Sequence, residues 1–174
     1  MTLRATLAAL ISAAVILTGL TGAAEAKVPR DPNPDLLALS VGWYDALHDT
    51  ATAVQFRGEW RSGQGIWKVK PLIGVMGTTD GAYHGYAGIL VDFQIGNFYI
   101  TPSFAPGIYV RGNGKNIGGP VEFRSQIELG YRLPNHGRIA VSVDHISNAG
   151  IYQRNPGVES AMLTYGIPLD LIMN

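Results

Sequence analysis

Residues 144–160, DHISNAGIYQRNPGVES, hold within one short stretch the three side-chain types that hydrolytic enzymes combine: a histidine, His145; a serine, Ser147; and a carboxylate, Glu159. A serine hydroxyl is a weak nucleophile until a neighbouring imidazole takes its proton, and the imidazole works best when a carboxylate orients it and balances the charge it acquires. The chemistry open to such a set is acyl transfer. Singly, each residue is an ordinary polar group at a strand end; the three together on one face mean more.

The elements that must position them are strands. In GRIAVSVDHIS, Ile139, Val141 and Val143 alternate with Arg138, Ser142 and Asp144, the period of two that sends successive side chains to opposite faces. Continuing the apolar face leads to His145 and Ser147. On the following strand the odd face reads Glu159, Ala161, Leu163, Tyr165 and Ile167, so all three polar residues interrupt apolar faces on the same side. His145 and Ser147 lie about 7 Å apart along one strand, and the next strand is about 4.8 Å away. A connection symmetric about Gln153 sets Glu159 opposite Ser147 with His145 diagonal to it, and a small register shift sets Glu159 directly beside His145. Asp144 adjoins the histidine in sequence but alternation turns it to the other face, which favours Glu159 as the acid.

The same alternation runs through the chain. VEFRSQIELGYRL sets Val121, Phe123, Ser125, Ile127, Leu129 and Tyr131 against Glu122, Arg124, Gln126, Glu128 and Arg132; TAVQFRGEWR sets Val54, Phe56 and Trp60 against Gln55, Arg57, Glu59 and Arg61. Strands are expected near 36–46, 52–62, 66–77, 82–93, 97–110, 121–133, 137–148 and 157–168, most with the roughly 9 to 11 residues a tilted strand needs to cross a bilayer. No helical periodicity competes beyond residue 35. The fold class is all-β, an eight-stranded antiparallel transmembrane β-barrel of up-and-down topology.

Residues 1–26 carry an early arginine, an apolar run and the small-x-small site Ala24-Glu25-Ala26, the pattern of a secretory signal peptide, which leaves 27–174 as one exported barrel domain. The 174 residues balance 13 basic against 13 acidic side chains, so nothing in the charge calls for nucleic acid, and the absence of cysteine rules out stabilisation by disulfides. Counting from a periplasmic N-terminus, the connections at 63–65, 94–96 and 134–136 are short and periplasmic; those at 111–120 and 149–156 are longer and extracellular, although 47–51 and 78–81 are not. Trp43, Trp60, Trp67, Phe93 and Phe98 suit interfacial girdles. Arg57, Glu59, Lys68, Lys70, Glu122, Arg124 and Glu128 are expected to pair across a lumen that eight strands leave wide enough only for side chains. The polar trio then falls on the outer wall at the extracellular end, level with the outer leaflet, where a lipid would approach from the side.

HISNAG, then NPGVES, then LTYGIPL resemble the C-terminal part of the lipid A 3-O-deacylases, small outer-membrane esterases of Gram-negative bacteria, over roughly residues 144–168. The resemblance implies Ser147 as nucleophile, His145 as general base and Glu159 as the acid. It implies oxyanion and substrate contacts from Asn155 and from the backbone near Ala149 and Gly150, with Asn148 beside the nucleophile. It further implies hydrolysis of the 3-O-linked acyl chain of lipid A within lipopolysaccharide, release of a 3-hydroxy fatty acid, no metal or cofactor, and location in the outer membrane, with a homodimer left open. Two departures stand out: DLIMN follows YGIPL, and Pro156 restricts Asn155 to extended backbone.

Rival readings are a non-catalytic small barrel that binds lipid, an acyltransferase barrel using the same acyl chemistry, and a soluble lipocalin-like binder. His48, His84 and His136 lack metal-ligand spacing, and RGNGKNIGG at 111–119, with no helix after it, reads as a flexible surface loop.

Overall fold

The structure, a computed structural model, describes residues 32–48 and 51–173; the expected leader over 1–26 lies outside the described residues. The strands are β1 (Leu36–Tyr44), β2 (Ala53–Arg61), β3 (Val69–Thr78), β4 (Tyr83–Val91), β5 (Phe93–Ile95), β6 (Phe98–Val110), β7 (Val121–Arg132), β8 (Arg138–Ser147) and β9 (Val158–Pro168). β5 continues β4 after a break at Asp92: both pair with β6 in one unbroken register, from Tyr83↔Val110 to Phe93↔Ile100, so the two form a single stave. β1 pairs with β2 on one side and β9 on the other, which closes an eight-stave antiparallel barrel and leaves no sheet edge whose peptide groups lipid would strand.

The two faces divide as alternation requires. Phe56, Ile73, Val75, Leu129, Val141 and Val143 stand exposed on the outer wall, an apolar belt that suits hydrocarbon. Charges fill the interior. Arg57 pairs with Asp144 and donates to Gln126 (2.6 Å); Glu59 accepts from Arg61 (2.7 Å), Arg124 (3.1 Å) and the Tyr86 hydroxyl (2.7 Å); Arg61 also grips Glu128 through two bonds of 2.7 and 2.9 Å. Near the end where β4 gives way to β5, Asp92 takes both Arg138 and Lys70 at 3.0 Å. At the opposite end, Tyr44, Met76, Tyr109, Ile117, Ile146 and Val158 form an apolar plug.

Three expectations are corrected. β3 starts at Val69, not 66, because Ile66 bridges back to Val69 across a two-residue turn whose central residues, Trp67 (φ 53°) and Lys68 (φ 74°), adopt the left-handed backbone such tight hairpins need. Lys68 therefore sits exposed at that turn, outside the lumen network. The 111–119 stretch is anchored where a flexible loop was expected: Ile117 is 1% exposed within the apolar plug, Lys115 Nζ reaches Asp45 at 2.6 Å, and the Lys115 carbonyl accepts from the Tyr109 hydroxyl at 2.8 Å.

Candidate active site

β8 and β9 pair so that His145 lies directly opposite Glu159. The symmetric connection would have placed Ser147 there; the register is centred one residue earlier, and it brings the imidazole and carboxylate together. His145 Nδ1 and Glu159 Oε1 are 3.0 Å apart. With Nδ1 engaged, the imidazole keeps Nε2 for a hydroxyl, and Ser147 follows two residues along the same outward face, level with Phe123 of β7. Asp144 points inward to Arg57. The side chains of His145 and Glu159 are 47% and 22% exposed, and a pair so open adds less than about 1 kcal/mol to stability.

The loop between these strands is built around Asn148. Its side chain is buried, its Nδ2 donates to the carbonyls of Ile117 (2.9 Å) and Arg154 (2.8 Å), and its Oδ1 accepts from the Gly150 N–H (3.0 Å). Asn148 thus faces the protein and clamps its own loop to the 111–120 connection. Its backbone N–H donates to Asn155 Oδ1 at 3.0 Å, which fixes the Asn155 carboxamide beside the residue that follows Ser147 and leaves the Nδ2 donors at its other end. Ala149 (φ 53°) and Gly150 (φ 80°) are successive left-handed residues in a turn closed by Ile151 N–H on the Asn148 carbonyl (3.0 Å). Glycine adopts that backbone readily, whereas alanine pays about 1–2 kcal/mol, a strain of the kind that collects at functional sites.

A further residue joins the cluster that sequence spacing did not single out. His48, in the β1–β2 connection, places Nδ1 2.9 Å from Glu159 Oε2. Its approach follows from closure, which makes β1 the neighbour of β9; the signal in sequence was only that the first extracellular connection of a closed barrel must lie beside the start of its last strand. Asp45, His48 and Glu159 bring potential ligand atoms within 4.8 Å of one another, but the Asp45 carboxylate is already engaged by Lys115 and by the Ala51 N–H at 2.8 Å, so the group reads as a hydrogen-bonded cluster. His84 is buried against Tyr86 and Tyr109 inside the barrel, and His136 sits in the β7–β8 turn with φ 60°.

An apolar-walled barrel, ion-paired within and bearing an imidazole–carboxylate pair next to a serine on its outer wall, defines a class: a small transmembrane β-barrel equipped for acid–base chemistry at its surface. Residues 37–168 match the family model described as lipid A 3-O-deacylase (PagL). The chain is 30% identical over 171 residues to the lipid A deacylase PagL of Pseudomonas aeruginosa, covering 93% of this chain and 87% of that one. It is 43% identical over 51 residues to the lipid A deacylase PagL of Bordetella bronchiseptica, 29% of each chain. Among solved structures, that of the outer membrane enzyme PagL matches with a TM-score of 0.61 and 21% identity, over 77% of this chain and 99% of that one. The chain belongs to the lipid A 3-O-deacylase (PagL) family and is a carboxylic ester hydrolase.

Gly157 shows how closely the site is packed. A Cβ built there would lie 2.5 Å from His145 Cε1 and 3.1 Å from Nε2, and the residue's φ is +64°. Only glycine leaves the Nε2 edge of the imidazole uncovered. Gly157→Ala is expected to lower kcat about 10²-fold by displacing the ring, while the positive φ costs about 1–2 kcal/mol of stability. Steady-state kinetics beside denaturant unfolding in micelles separates the two; unchanged kcat would mean the ring does not need its present place.

Proposed function

We propose that this chain is an outer-membrane serine esterase that removes the 3-O-linked acyl chain of lipid A from the outer leaflet. The observation that carries the reading is the 3.0 Å His145–Glu159 pair on the outer wall, two residues from Ser147. Ser147 Oγ attacks the ester carbonyl as His145 Nε2 takes its proton, and Glu159 holds the ring at Nδ1 and balances its positive charge. The tetrahedral oxyanion is met by Asn155 Nδ2 and the Ala149 N–H, and by the Gly150 N–H if it leaves Asn148 Oδ1. When the intermediate collapses, His145 returns the proton to the sugar 3-oxygen, which departs as an alcohol. Water, deprotonated by His145, then attacks the acyl-enzyme, frees Ser147 and releases a 3-hydroxy fatty acid.

The physical setting supports a lipid substrate. An amphiphile held in the leaflet presents its ester at the headgroup boundary while its acyl chain lies along apolar wall. Ser147 adjoins Phe123 by register, and Phe123 stacks on Phe104 with ring centroids 5.8 Å apart, which gives an acyl chain an aromatic surface beside the nucleophile. Residues 1–26 act as the export signal and are removed.

Mass spectrometry of lipid A from outer membranes containing this protein tests the proposal. The expected change is loss of the mass of one 3-hydroxyacyl chain, with the free acid recovered. Transfer of that chain to another lipid would instead identify an acyltransferase, and unchanged lipid A with a folded barrel would leave lipid binding as the better reading.

A further inference from the structure

Glu159 uses both carboxylate oxygens on histidines: Oε1 lies 3.0 Å from His145 Nδ1 and Oε2 lies 2.9 Å from His48 Nδ1. We propose that His48 is a positioning residue of the hydrolytic site, donating Nδ1–H to Glu159 so that the carboxylate is held at two points and presents a fixed oxygen to His145. The inference rests on the serine-esterase reading above.

A glutamate turns about three side-chain bonds, and this one stands partly in solvent at 22% exposure. One hydrogen bond to His145 leaves the carboxylate free to pivot about that contact. A second on the other oxygen removes the pivot, and with it the loss of imidazole alignment when the ring becomes charged. A charge-assisted hydrogen bond suits this task because it is shorter and stronger than a neutral one.

The arm that carries His48 is itself tied down, so the contact does not depend on a loose loop finding the glutamate. The Ala46 N–H donates to the Glu159 carbonyl at 2.9 Å, extending the β1–β9 ladder by one rung at the very residue whose side chain His48 meets. Asp45, at φ 56°, turns the chain out of β1, and its buried carboxylate accepts from the Ala51 N–H (2.8 Å) and from Lys115 Nζ (2.6 Å) of the neighbouring connection. His48 therefore projects from a turn braced on both sides. Its own side chain is 56% exposed, so its position is not explained by packing into the protein.

Lipid A hydrolysis by the full mature chain in detergent micelles, with kcat and KM measured separately, tests the role. His48→Ala is expected to lower kcat about tenfold, with KM changed less than about twofold, because the lost bond aligns the transition state and does not touch substrate. His48→Asn, whose amide nitrogen sits at the level of Nδ1, is expected to recover most of that loss. In a Glu159→Ala background, His48→Ala is expected to change nothing further. Full kcat in His48→Ala, or a rise in KM alone, would overturn the inference; the latter would make His48 a headgroup contact. So would a loss that asparagine does not relieve and that persists without Glu159, which would be a folding effect. Ser147→Ala is the control: turnover in that variant defeats the esterase mechanism and this inference together, whereas an inactive Ser147→Ala beside a fully active His48→Ala defeats the inference alone.

Discussion

Ser147→Ala is expected to lower kcat on lipid A by about 10⁴- to 10⁶-fold while the barrel stays folded. On the proposed mechanism no acyl-enzyme forms without Oγ, and the remaining groups add little in concert because imidazole and carboxylate serve the nucleophile and do not replace it. The fold should hardly notice: Ser147 ends β8 facing outward, and its pairing with Phe123 runs through the backbone, which alanine keeps. Surface changes of this kind stay within about 0.5 kcal/mol. A fluorophosphonate, which phosphonylates an activated serine with loss of fluoride, should label the native protein and not the variant. Should the variant retain more than about a tenth of native turnover, another residue is the nucleophile.

Glu59→Ala is expected to act in the opposite manner, destabilising the barrel by about 3–5 kcal/mol. Glu59 is 1% exposed and its two oxygens receive Arg61, Arg124 and the Tyr86 hydroxyl. Arg61 would keep Glu128, but Arg124, fully buried, would lose its carboxylate and retain Gln126 and the face of Tyr86, 4.5 Å from its guanidinium carbon. A buried charge left without its counter-ion is the costly case. Glu59→Gln, which still accepts hydrogen bonds, should fall between the two. Denaturant midpoints in micelles provide the measurement; equal midpoints for native and Glu59→Ala protein would mean that water inside the lumen carries the charges.

The division between what sequence conveyed and what it did not follows the physics of strands. Alternation is local, so the inward set of Arg57, Glu59, Arg124 and Glu128 and the outward set of Val141, Val143, His145 and Ser147 were legible residue by residue. Register is not local. Whether Glu159 faced His145 or Ser147 depended on how the 148–157 connection folds, and that depends on the buried Asn148 side chain and the left-handed pair Ala149-Gly150. Turn chemistry misled at Trp67-Lys68, where two bulky residues adopt a backbone usually signalled by glycine or asparagine. His48 was invisible for a third reason: its contact with Glu159 spans 111 residues and exists only because the last strand returns to the first.

On the proposed mechanism, the placement of this cluster on the convex wall also governs how the protein meets its substrate. A cleft that opens to water samples a volume, and its rate follows bulk concentration. A cluster on the bilayer-facing surface samples a plane, so turnover tracks the mole fraction of substrate in the surface: inert detergent or phospholipid dilutes the reaction even when total substrate is constant. Rate constants for such a protein are properly expressed per unit of surface density, and lateral diffusion replaces bulk diffusion as the ceiling on encounter.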